Sequence, residues 1–148
     1  MTVTKIFNPV NRPSIFEKPN IINFLYEHLE QYGDSKEDIE KAIDFAIKEL
    51  PSFGGFVIAL YEEDILSGVV VVNQTGMKGY IPENILVYIA IHKDQRGKGL
   101  GKKLMLETIQ QAHGNIALHV EPENPARILY EKVGFTSKYI EMRLIKNN

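Results

Sequence analysis

The chain has 148 residues, 44% of them hydrophobic, and a formal net charge of −2; it holds enough apolar material to bury a continuous core without a structural metal. The near-neutral balance argues against a nucleic-acid-binding surface as its main purpose, and the lack of cysteine excludes a thiol nucleophile and a disulfide scaffold. No run approaches the roughly 20 apolar residues of a membrane-spanning helix. The first stretch, broken by Pro9, Pro13 and Pro19, lacks the apolar segment of a signal peptide, so the cytoplasm is the expected compartment.

In chain order, Val3 to Phe7 reads as a short strand ahead of a proline-punctuated connection. Asn20 is expected to cap a helix with the stripe Ile21, Phe24, Leu25 and Leu29, ended by Gly33. Ser35 followed by Asp38 approximates a capping box, and Ile39, Ala42, Ile43, Ala46, Ile47 and Leu50 form the apolar face of a second helix stopped by Pro51. Phe56 to Tyr61 and Ile65 to Val72, separated by Glu62-Glu63-Asp64, read as a hairpin, with Asn84 to Ile91 as the next strand. A helix carrying Leu100, Leu104, Met105, Thr108, Ile109 and Ala112 follows, then a strand from Asn115 to Val120. Asn124 suits an N-cap, Pro125 the first helical position, and Gly134 a helix end with positive φ. Phe135 onward, through Tyr139 to Ile145, is expected to complete the sheet. The resulting order, β-α-α-β-β-β-α-β-α-β, predicts a single three-layer α/β domain over residues 1–148, with a mixed, mostly antiparallel sheet flanked by helices.

The most informative stretch is Arg96-Gly97-Lys98-Gly99-Leu100-Gly101-Lys102-Lys103, between an apolar strand and an amphipathic helix. Glycines let the backbone bend and approach a ligand closely, while free N–H groups at a helix start attract anionic oxygens. It is not a Walker loop, because Lys103 stands where a magnesium-binding hydroxyl is needed. Glycines at 97, 99 and 101 also miss the dinucleotide fingerprint G-x-G-x-x-G.

The remaining spacing, R-x-x-G-x-G at a strand-to-helix junction, resembles the pyrophosphate loop of the GNAT family of N-acetyltransferases. A second match runs from Ile116 to Phe135, which resembles that family's strand, Asn-led helix, tyrosine and terminal Gly-Phe. Asn124 precedes Tyr130 by six residues, where many members have seven. The resemblance covers the C-terminal half of the chain. It implies the acyl-CoA N-acyltransferase fold and direct, metal-free transfer of an acetyl group from acetyl-CoA to a primary amine of a small molecule or peptide. It further implies that the strands ending near Ile91 and Val120 splay apart around the thioester. The backbone of Ile89, Ala90 and Ile91 would then pair with the pantetheine arm, Arg96, Gly97, Lys98, Gly99, Leu100, Gly101 and Lys102 would hold the pyrophosphate, and Asn124 would touch the cofactor. Tyr130 matches the acid that protonates the departing sulfur; from its own surroundings it also reads as a helix tyrosine packed on a sheet.

Members that use a strand glutamate as base place it where this chain has Ile85. Glu83, Tyr88, His119 and a water chain stay open for that role. His28, His92, His113 and His119 lack metal-ligand spacing, so no metal site is expected. From Glu27 to Glu49, eight acidic residues stand against Lys36, Lys41 and Lys48. These are either the solvated faces of amphipathic helices or a wall suited to a cationic amine. A non-catalytic acyl-CoA-binding sensor or interaction module is the alternative to an enzyme, and both a monomer and a homodimer are compatible with the sequence.

Overall fold

Five strands, β1 (Thr2–Phe7), β2 (Gly55–Glu62), β3 (Ile65–Gln74), β4 (Asn84–Ile91) and β5 (Ile116–Leu118), lie side by side in that order in the computed structural model, which describes residues 1–147. The first four run antiparallel, and β5 runs parallel to β4 through a helical crossover. Helices α1 (Glu17–His28) and α2 (Lys36–Ile47) cover one face, and α3 (Leu100–Gln111) and α4 (Ala126–Lys132) the other. The expected three-layer α/β arrangement is therefore present, with 3-10 turns added at Glu30–Tyr32 and Lys93–Gln95.

Alternation along the central strands supplies both layers. Val69 and Val71 pack with Ile21, Leu25, Ile39 and Ile43 of the α1/α2 layer, whereas Val70 and Val72 pack with Leu104 and Met105 of α3. A strand covered on both faces carries an unbroken apolar run, hence Val69-Val70-Val71-Val72, all fully buried.

One irregularity positions the site. The β3–β4 register runs Asn73 opposite Ile85 and Val72 opposite Leu86, then Val71 opposite Tyr88, so Val87 is an extra residue on β4. Leu86 packs in the α3 layer, yet Tyr88 and Ala90 pack in the α1/α2 layer, while Ile89 and Ile91 return to the α3 side. Pairing with β5 is confined to Asn84–Leu86 against Ile116–Leu118 and stops where the bulge begins. Beyond it the two strands part.

Several boundaries differ from the sequence-based expectations. Helix α1 begins ahead of Asn20, because Ser14 and Glu17 form a capping box. Ser14 Oγ accepts from Glu17 N–H at 3.0 Å, and Ser14 N–H donates to Glu17 Oε1 at 2.9 Å. The Lys18 N–H bonds the Ser14 carbonyl at 3.1 Å, while Pro19 has no N–H for the next bond, and the regular helix runs from Glu17. The helix ends at His28, before Leu29 and Gly33, as Glu30 adopts φ 56°. Ser35 Oγ accepts from Asp38 N–H at 3.2 Å, as the sequence suggested, but α2 ends at Ile47, so Leu50 lies outside it. The strand expected over 115–120 shortens to Ile116–Leu118.

The last expected strand, Phe135 to Ile145, is absent, and Tyr139, Ile140, Met142 and Leu144 are exposed. Its residues have strand propensity, but a strand is stabilised by the neighbour it packs and bonds with. Here β5 presents only three paired residues.

Because the Ser14 cap satisfies two amides at the start of α1, Ser14→Ala is expected to lower stability by about 1 kcal/mol in urea denaturation, with an unchanged m-value.

Candidate active site

A cleft of about 680 Å³ opens where β4 and β5 separate. It is walled by β4 from Ile85 to Ile91, the glycine loop, α4, and the connection between α1 and α2. From Val87 onward the cleft-side edge of β4 carries no strand, so backbone groups at Ile89, Ala90 and Ile91 border it.

The loop enters α3 through Gly99, at φ 80°, a left-handed conformation that a side chain disfavours; Gly97 shares it at φ 82°. The first bond of the helix is Lys103 N–H to the Gly99 carbonyl, 3.1 Å. Among the described residues, the amides from Gly97 to Lys102 donate to no protein acceptor. With the α3 dipole behind them they line a concavity whose electrostatics suit an anion. Gly97, Gly99, Leu100 and Gly101 line the cleft; Lys98 and Lys102 do not, and Lys98 Nζ donates instead to Gln95 Oε1 at 2.9 Å.

Arg96 lines the cleft but turns its guanidinium to protein acceptors: Glu30 Oε1 and the His28 carbonyl, each at 2.8 Å, and the Ile91 carbonyl at 3.3 Å. It braces the loop against the end of α1. His28 adds a second brace, its Nδ1 accepting from Lys93 N–H at 3.1 Å while its ring packs 4.1 Å from that of His92. Burial keeps the His28 pKa below the usual histidine range, aided by the neighbouring His92 charge. The sequence reading did not single out His28, although Ile21, Phe24, Leu25 and His28 share one helical stripe.

Helix α4 delivers Tyr130. Asn124 Oδ1 accepts from Ala126 N–H at 2.9 Å and starts the helix, so this oxygen serves the fold; Asn124 still borders the cleft. A Schellman motif closes the other end, with Gly134 N–H on the Glu131 carbonyl at 3.1 Å and Phe135 N–H on the Tyr130 carbonyl at 3.0 Å. The accompanying apolar contact is Tyr130 itself, edge-on to Phe135 at 6.0 Å between centroids. Gly134-Phe135 thus fixes the tyrosine as well as ending the helix. The Tyr130 ring is buried and lines the cleft, and its hydroxyl bonds no protein group among the described residues. Burial pushes its pKa up to about 12.

The open base candidates fall in different places. Glu83 does not border the cleft; it accepts N–H bonds from Asn115 at 2.7 Å and Gly79 at 2.9 Å, which hold its carboxyl below the usual range. Tyr88 lines the cleft and donates its phenol to Asp34 Oδ2 at 2.5 Å; burial and that carboxylate raise its pKa further. His119 lies just past β5, exposed at the rim, with Nδ1 3.9 Å from Glu141 Oε1. Ile85 lines the wall. Asp34 also lines it, which the sequence counted only as one of eight acids. Among the described residues no three His, Asp or Glu side chains gather as a metal site, and no helix is long and apolar enough to cross a membrane.

Residues 52–137 match the family model described as "Acetyltransferase (GNAT) domain". The "5-NmdU N-acetyltransferase" of Pseudomonas phage PaMx11 is 37% identical over 57 residues, 37% of this chain and 41% of that protein. The human "Cysteine-rich protein 2-binding protein" is 26% identical over 128 residues, 84% of this chain and 15% of that one. The chain thus spans less than half the length of these relatives. A GNAT family acetyltransferase structure from Streptococcus pneumoniae TIGR4 superposes with a TM-score of 0.68 at 15% identity, covering 100% of both chains, a likeness of fold. The matched family segment runs from the start of the sheet core to the Schellman turn, taking in the glycine loop, the parted strands and Tyr130, and on that match this chain belongs to the GNAT acetyltransferase family.

Proposed function

We propose that this protein transfers the acetyl group of acetyl-CoA to a primary amine of a small molecule or peptide. The observation that carries it is Tyr130: a buried ring whose hydroxyl has no protein partner, in the same cleft as the unbonded amides of the glycine loop. With its ring held by packing and its hydroxyl facing the cleft rather than a protein group, Tyr130 can meet a ligand atom there, as a proton donor must.

The residues fit acetyl-CoA. Amides from Gly97 to Lys102 can hold its pyrophosphate, with Arg96 stiffening the loop from behind. The uncovered edge of Ile89, Ala90 and Ile91 can pair with an amide-bearing arm as an added strand would. The thioester would then lie between the parted strands near Tyr130. Bound this way, acetyl-CoA supplies an activated acyl carbon.

In the balanced reaction, the acceptor ammonium first loses a proton. Its neutral nitrogen then bonds to the carbonyl carbon while the carbon–sulfur bond breaks. Tyr130 Oη gives its proton to sulfur and regains one from the nitrogen that becomes the amide, so the net products are amide, thiol and one proton. Glu83 lies outside the cleft and the Tyr88 phenol is engaged with Asp34, which leaves His119 and water to take the ammonium proton. Ile85, where members that use a strand base place a glutamate, favours a second reading: an acyl-CoA-binding module without turnover.

Calorimetry with acetyl-CoA and an amine-panel assay for thiol release separate the two. Gly99→Val places a β-branched residue at φ 80° and is expected to abolish acetyl-CoA binding in a protein that still folds; wild-type affinity would exclude the loop as the binding site. Tyr130→Phe is expected to lower kcat roughly 100-fold with acetyl-CoA affinity nearly intact, since the hydroxyl acts only as charge develops on sulfur. Wild-type turnover with chemistry rate-limiting would return Tyr130 to a packing role. Its raised pKa also has a stability consequence. The neutral phenol contributes stability fully below pH 10, and that contribution is lost as pH rises toward about 12. Thermal melts are therefore expected to fall across that window, and less steeply for Tyr130→Phe.

A further inference from the structure

The acidic stretch from Glu27 to Glu49 looks very different once its partners are known. Glu30 pairs with Arg96 at 2.8 Å, Glu27 with His28 at 3.1 Å, Glu40 with Lys18 at 3.5 Å, Glu49 with Arg12 at 3.5 Å and Asp38 with Lys41 at 3.7 Å; Asp44 also pairs with Lys18. Of these eight acids only Asp34 and Glu37 have no cationic partner among the described residues, and of the two only Asp34 lines the cleft. The other charged groups of the cleft wall are matched: Glu30 by Arg96, and Arg143 by Glu141 at 2.5 Å. Asp34 is therefore the uncompensated charge of the cleft.

Asp34 is also held in place. It sits in the α1–α2 connection, just before the Ser35 cap of α2, and Oδ2 accepts the Tyr88 phenol at 2.5 Å. The Tyr88 ring is buried in the α1/α2 layer, where the Val87 bulge sends it. A neutral donor orients a carboxylate without cancelling its charge, and Oδ1 bonds no protein group among the described residues. An exposed, oriented, unpaired carboxylate at the mouth of a cleft is complementary to an ammonium.

We infer that Asp34, oriented by Tyr88, is the acceptor-side specificity residue, pairing with an alkylammonium group and selecting aliphatic primary amines over neutral arylamines. The role rests on acetyl transfer being the activity of this cleft, whereas the pairing itself is an equilibrium property.

The test uses two cationic probes, 1,4-diaminobutane and a lysine-containing peptide, with aniline as the neutral probe. Binding of the cationic probes to the protein saturated with coenzyme A is followed by calorimetry. Asp34→Asn, which keeps an oxygen for the Tyr88 hydrogen bond, is expected to weaken that binding about threefold to fivefold and to remove its salt dependence, as for a lost charge pair at a solvent-accessible site. KM for the cationic acceptor should rise by the same factor with kcat within about threefold, and values for aniline and acetyl-CoA should stay unchanged. Tyr88→Phe should give a smaller rise that retains salt dependence, and Glu37→Gln should change nothing. The two cationic arms tell a small amine from a peptide as the source of the ammonium. Equal cationic binding by wild type and Asp34→Asn, or no cationic binding to either, overturns the assignment. Binding that depends on Asp34 without any thiol release would instead overturn acetyl transfer, and with it the acceptor role, and leave only the ammonium pairing standing.

Discussion

The rest of the site depends on the parting of β4 from β5 beyond Leu86. Parallel strands pair as long as their backbones stay aligned, and the extra residue at Val87 ends that alignment after three residue pairs. An unpaired strand edge is ordinarily a liability; here it borders the cleft, where its N–H and C=O groups are available to a ligand. The same insertion reverses the alternation of β4. Leu86 faces α3, but Tyr88, which would also face α3 in an unbroken strand, faces α1 and α2. One residue therefore opens the cleft and turns Tyr88 toward the α1/α2 layer.

The walls are braced from outside the cleft. Arg96 and Glu30 are both about half exposed, so their ion pair alone is worth less than about 1 kcal/mol. The contribution of Arg96 is geometric, since one planar guanidinium joins the loop, the end of β4 and the end of α1. His28 does the same from a buried position. With these side chains holding the loop from behind, its amides stay directed forward, and lysines flanking the loop are not required to line the cleft. At the opposite wall, the Schellman turn ends α4 and packs Phe135 against Tyr130.

Local chemistry was legible in the sequence wherever a few neighbouring residues decide the outcome. The glycine turn, the Ser35 cap and the Gly134 stop each rest on backbone preferences within one helical turn, and each appears where expected; of the α3 stripe, Leu100, Leu104, Met105 and Thr108 are buried, whereas Ile109 is exposed and Ala112 lies past the helix end. The Ser14–Glu17 box lies within one helical turn too, although the sequence reading placed the cap at Asn20. The run Ile65 to Val72 was legible as a strand of a hairpin, and its four consecutive valines are buried in the fold.

Tertiary structure decided the rest, because those features depend on partners far away in the chain. Strand propensity from Phe135 to Ile145 did not make a strand, since β5 has no edge of matching length to pair with. The eight acids from Glu27 to Glu49 are equivalent in sequence; only folding brings Arg12, Lys18 and Arg96 to their partners and leaves Asp34 unmatched beside Tyr88, 54 positions away. The bulge at Val87 has no local signature either. A period-2 pattern assigns faces correctly until one residue is inserted, and whether it is inserted depends on the register with β3, which no stretch of β4 contains.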